Sequence, residues 1–225
     1  MAFYGFLYLM MCFLGPAEWG RAFGAMGGVY ALGFVGVVAG YFWARWFAIG
    51  IGTSGLISAV ISMWQVGPEP TLMFYGGTQM LIPLVMCGGG MAKLFDGRTE
   101  WRDKFHHDEG ATNRLGKAVI RVGISLPYIV LYALAPRGVG ESLAMICGAG
   151  LAGIGLWALI RNRTWGVFAL GGGAVALLSS LGMGPQAAAF DGHAINLVAL
   201  GAAATVLLIA AVIPFAGPVA RYLRS

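Results

Sequence analysis

The sequence predicts an all-α, polytopic transmembrane bundle of about eight spans, seven if the first run lies in the interface, with both termini cytoplasmic. Three observations predict it. Of 225 residues, 59% are hydrophobic and only 10% are charged, whereas a soluble domain carries roughly 25% charged residues. The few charges are clustered, which leaves apolar runs long enough to cross roughly 30 Å of hydrocarbon. The basic residues also divide unequally between alternate connections, as the positive-inside rule requires.

The runs follow in order. Met1–Leu14 is the shortest, and ends at Gly15-Pro16 and the polar cluster Glu18-Trp19-Gly20-Arg21. It lacks a basic n-region and a small-residue cleavage site, so it reads as a span rather than a removable signal. Ala22–Trp43 and Trp46–Val66 are separated around Arg45, and Gly67-Pro68-Glu69-Pro70 precedes Thr71–Ala92. After the polar segment Lys93–Lys117 come Ala118–Ala135, Ser142–Ile160, Gly166–Met183 and Ala194–Ala216. Continuous apolar character favours helices over barrel strands, whose residues alternate. The chain is expected to be one transmembrane domain, four spans (1–92) and four spans (118–225) around a charged loop (93–117), with no internal duplication.

Eight spans place Arg45, Lys93, Arg98, Arg102, Lys104, Arg114, Lys117, Arg161, Arg163, Arg221 and Arg224 on one side. Only Arg21 and Arg137 fall on the other. This division assigns the loop and both termini to the cytoplasm of a bacterial-type inner membrane. The net charge of +5 is thereby spent on orientation, and no nucleic-acid partner is implied. Trp19, Trp43, Trp46, Trp64 and Trp165 lie near span ends, at headgroup level. Cys12, Cys87 and Cys147 form no CxxC pair and read as inert thiols in apolar segments. Glycines such as Gly24-x3-Gly28 and Gly36-x3-Gly40 suggest close helix packing.

Three spans carry a polar seam. Gly50, Ser54, Ser58, Ser62 and Gln65 recur at helical steps, as do Gly76, Gln79, Pro83, Cys87 and Gly90, then Arg121, Ser125, Tyr128 and Tyr132. An amide such as Gln79 in hydrocarbon needs partners, so these faces are expected to turn toward each other. They form either a pathway with Arg121 as a charged gate, or helix-to-helix glue with Arg121 snorkelling to the headgroups. Pro83 and Pro127 each remove an N–H from their helix and free a carbonyl one turn earlier.

The loop concentrates charge: Arg98, Arg102, Lys104, His106, His107 and Asp108 are the candidate docking residues for a partner or lipid headgroups. His106 and His107 point about 100° apart on a helix, unlike the i,i+4 pair of a zinc site, so no metal is expected. Asp191 and His193, before the last span, read as a solvated pair.

No span centre holds His, Lys, Asp or Glu, which disfavours haem, a retinal Schiff base and carboxylate-coupled transport. P-loop, GxSxG and HExxH motifs are absent as well. No cofactor is specified. The expectation is a non-enzymatic membrane subunit or scaffold, lying in the bilayer with other membrane subunits or copies of itself as partners. The alternatives are a small transporter or channel built on the seam, and a lipid-modifying enzyme using His106, His107 and Asp108.

Overall fold

The computed structural model describes residues 1–96, 109–136, 143–161, 163–181, 187–190 and 193–224. Among these the chain forms α1 (Ala2–Leu14), α2 (Gly20–Val38), α3 (Ala44–Val66), α4 (Pro70–Cys87), α5 (Gly89–Asp96), α6 (Glu109–Leu134), α7 (Leu143–Ile160), α8 (Trp165–Ser180) and α9 (Leu197–Arg224). A single 3-10 turn, Ala17–Trp19, leads into α2. The helices exist because each run is apolar throughout and ends at glycine, proline or charge. α3, for example, stops at Gly67, whose φ of 100° suits glycine alone.

Five helical stretches are long and apolar enough to cross a membrane: Ala17–Val38, Ala44–Val66, Gly110–Leu134, Leu143–Ile160 and Leu197–Pro218. Helices α4 and α5 together pass the same test as a sixth, while α1 and α8 are apolar but shorter. The outer surface fits this composition. Trp64 is 89% exposed, Phe13 83% and Val38 71%. Surfaces of that kind are a liability in water and ordinary in lipid. The chain is an integral membrane helical bundle.

Helix α3 lies at the centre, packed against α2, α4 and α6; α6 also contacts α7 and α9, α9 reaches α8, and α1 lies on α2. Consecutive long helices reverse direction. The α2–α3 turn shows how: Gly40 adopts φ 69°, the Tyr41 N–H donates to the Gly36 carbonyl at 3.0 Å, and Trp43 folds back over Gly36. This is a glycine helix stop of the Schellman type.

Four details of the sequence expectation change. The run Thr71–Ala92 is not one helix: α4 and α5 meet at Gly88 with a bend of 64°, because three consecutive glycines give the backbone nothing to hold it straight. The segment Lys93–Lys117 is not all loop, since α5 takes its first residues and α6 begins at Glu109, burying Thr112 and Leu115. Among the described residues the bundle stays all-α, with one short hairpin added. Ala187–Phe190 and His193–Asn196 pair as an antiparallel hairpin, Ala188 opposite Ile195, so the last helix starts at Leu197 rather than Ala194. The expected Gly24-x3-Gly28 contact is also partial: Gly24 meets Cys12, but Gly28 faces open space.

Candidate functional site

The central contact grows from the small residues of α3. A methyl added to Gly50 would stand 2.9 Å from the Gly123 Cα on α6, and one added to Gly52 would stand 2.7 Å from the Pro83 ring on α4. One added to Gly55 would overlap the Gln79 amide, 2.6 Å from Oε1. Glycine here permits backbone approach from both sides. Gly52 and Gly50 lie against the two stretches where Pro83 and Pro127 remove a helical donor, so α3 covers both interrupted ladders.

This closure buries Gln79 completely. Its Nε2 donates to the Tyr30 hydroxyl of α2 at 2.8 Å. Its Oε1 and the Oγ of fully buried Ser54 have no hydrogen-bond partner. Around them the Tyr128 hydroxyl donates to the Ser54 carbonyl at 3.4 Å, and Ser58 Oγ donates to the Tyr128 hydroxyl at 3.5 Å. The Tyr8 and Tyr30 rings stack with centroids 5.4 Å apart. Tyr4 bonds Thr78, and the Tyr4 ring lies 5.5 Å from Tyr75 and 5.6 Å from Tyr30. Four tyrosines from α1, α2 and α4 thus close one side of the amide.

The rest of the expected seam disperses. Ser125 donates to its own helix at Val122, as hydroxyls in helices do. Tyr132 pairs with Ser180 of α8 at 3.0 Å. Ser62 is half-buried and Gln65 is exposed at the end of α3. The docking residues Arg98, Arg102, Lys104, His106, His107 and Asp108 lie outside the described residues, as does Asp191.

Arg121 is placed by a different rule. Its Nη1 donates to the Ala210 carbonyl on α9, which has lost its helical donor because residue four onward is Pro214. Arg45 does the same on α4. Its Nε donates at 2.7 Å to the Met86 carbonyl, which faces the Gly88 bend instead of a continuing turn. Each guanidinium supplies a donor to a carbonyl at a helix break.

No family model, curated protein or solved structure matches this chain. The chemistry is read from the side chains alone. The central cluster offers one amide, several hydroxyls and phenols. These groups orient and hydrogen-bond, and carry no net charge. Among the described residues no three His, Cys, Asp or Glu side chains come together. Sequence reasoning found Gln79, Ser54, Ser58 and Tyr128 but missed Tyr4, Tyr8, Tyr30 and Tyr75. The i,i+4 spacing of Tyr4 and Tyr8 was the available signal, since it places two phenols on one face of a short apolar helix.

Proposed function

We propose that this protein is a non-enzymatic subunit or scaffold of a larger membrane complex. It crosses the membrane eight times with both termini and the 93–117 segment on the cytoplasmic side. The observation that supports this reading is the closed centre: backbone contacts at Gly50, Gly52 and Gly55 leave the polar side chains bonding helix to helix. Partners, whether other membrane subunits or further copies of this chain, would meet the charged 93–117 segment through Arg98, Arg102 and Lys104, with His106, His107 and Asp108 beside them. Eight crossings agree with the alternation of helix direction, with α1 and α8 crossing where the bilayer is locally thinned. The membrane would be a bacterial-type cytoplasmic one, from the distribution of arginine and lysine.

The test is the mass of the chain extracted in mild detergent from its native membrane. The expected mass exceeds 23.6 kDa after detergent is subtracted, and reversing the charges of Arg98, Arg102 and Lys104 reduces it to one chain. A single-chain mass for the unaltered protein rejects the proposal.

One observation favours a second reading, a transporter or channel for a small polar solute. Gln79 Oε1 and Ser54 Oγ are buried without partners, and polar atoms in hydrocarbon normally find one. Flux in proteoliposomes decides it: Gln79→Leu abolishes flux if these atoms bind the solute.

A further inference from the structure

Away from the central cluster, the α2–α3 turn and the α7–α8 turn line an open cavity of about 490 Å³. From the first turn come Tyr41 and Trp43, stacked at 5.9 Å with their rings within 13° of parallel. From the second come Trp157, Arg161 and Arg163. The Arg161 guanidinium lies over the Trp157 ring, 4.6 Å from its centroid. That stacking holds the planar group by its face and leaves its N–H edge available for a bidentate anion contact. Arg163 is exposed, and its own N–H, bonded to the Ala158 carbonyl at 2.8 Å, fixes the turn. The C-terminus of α7 and the N-terminus of α8 offset each other's dipoles here. The two guanidinium charges therefore decide the sign, and among the described residues no carboxylate lines the cavity.

We propose that this cavity binds the phosphate headgroup of an anionic phospholipid. Three features choose a lipid over free phosphate. The aromatic residues mark the interfacial level of the membrane. The volume suits a phosphodiester with its glycerol. The adjoining helices expose Val35 and Val38 on α2 and Ile154 on α7, an apolar surface for acyl chains. Arg161 and Arg163 grip the phosphate, while Tyr41 and Trp43 form the opposite wall. The inner-leaflet arginines that set orientation thus acquire a ligand.

The experiment titrates the full-length chain in mild detergent with phosphatidylglycerol and counts bound lipid by native mass spectrometry. Arg161→Ala with Arg163→Ala is expected to weaken binding about 30-fold, from roughly 1 kcal/mol per basic residue near an anionic headgroup. Lys93→Ala with Lys117→Ala, two exposed lysines and the same change in net charge, is expected to leave it within about twofold. Equal loss in both double variants, or no loss in the arginine pair, overturns the site. Phosphatidylcholine bound as tightly as phosphatidylglycerol overturns it too. Displacement of the lipid by glycerol phosphate or inorganic phosphate at equal concentration makes the ligand free phosphate and overturns the lipid assignment.

Discussion

The pairing of α7 with α8 and the pairing of α3 with α4 both bring helices into contact at glycine, with different residues opposite. Between α7 and α8 the contact is glycine against leucine: Gly148 meets Leu177, Gly155 meets Leu170, and Gly166 lies on the Gly155 carbonyl. Between α3 and α4 the glycines receive an amide and a proline, Gly55 against Gln79 and Gly52 against Pro83. Apolar lipid provides no hydrophobic reason for helices to associate, so both contacts rely on close packing. The difference lies in specificity. Leucine in a glycine notch accepts small shifts of register, whereas Gln79 must reach Tyr30 at 2.8 Å and misses it if α4 slides by one residue. The first contact supplies adhesion, and the second supplies adhesion with an address.

The comparison breaks first in the α7–α8 notch. Gly155→Leu forces a side chain into space held by Leu170, 2.8 Å from the position of a first methyl. Thermal unfolding in detergent should show a loss of about 3 kcal/mol or more, at the upper end of overpacking effects. Gly153→Leu, on the open side of the same helix, should change stability by less than about 0.5 kcal/mol. Equal losses would mean that the α7–α8 notch does not exist.

Next in size is Arg121→Ala, which leaves the Ala210 carbonyl bare and should cost about 1.5–3 kcal/mol, as hydrogen bonds from charged donors do. Combining it with Pro214→Ala restores the helical donor. If Arg121 serves the proline break, a double-mutant cycle recovers at least about 1 kcal/mol; strict additivity argues against that role.

Gly55→Ala should destabilise by about 1–2 kcal/mol because it displaces the Gln79 amide. The same change beside Gln79→Ala should cost much less, since the overlap then disappears. The smallest effect expected is that of Ser54→Ala. Its Oγ has no partner, so deleting it should be neutral or raise stability by a few tenths of a kcal/mol. A loss above about 1 kcal/mol would show that this hydroxyl is engaged, and would strengthen the transport reading.

Much of the fold was legible because hydropathy and charge mark where helices can lie. The end of α3 at Val66 and the extent of α7, expected as Ser142–Ile160 and found as Leu143–Ile160, follow from apolar runs bounded by turn residues and charge. The α4–α5 bend was not legible, since Gly88, Gly89 and Gly90 are apolar by any hydropathy measure and act through backbone freedom. The hairpin before α9 escaped for a similar reason: Ala187–Ala189 carries no strand alternation to recognise. Within the site, periodicity placed Ser54, Ser58 and Gln79 on inward faces, and Tyr30 was missing because its partner lies 49 residues away. The bond from Arg121 to Ala210 was not legible either, since its acceptor lies 89 residues away on another helix.

The bond from Arg121 to Ala210 also sets a clock. The acceptor lies 89 residues later in the chain, so a ribosome needs on the order of ten seconds to reach it after making the donor. During that interval α6 carries a charge one turn inside its apolar part, with no carbonyl from α9 to receive it. Lateral settling of α6 is therefore coupled to the arrival of the last helix.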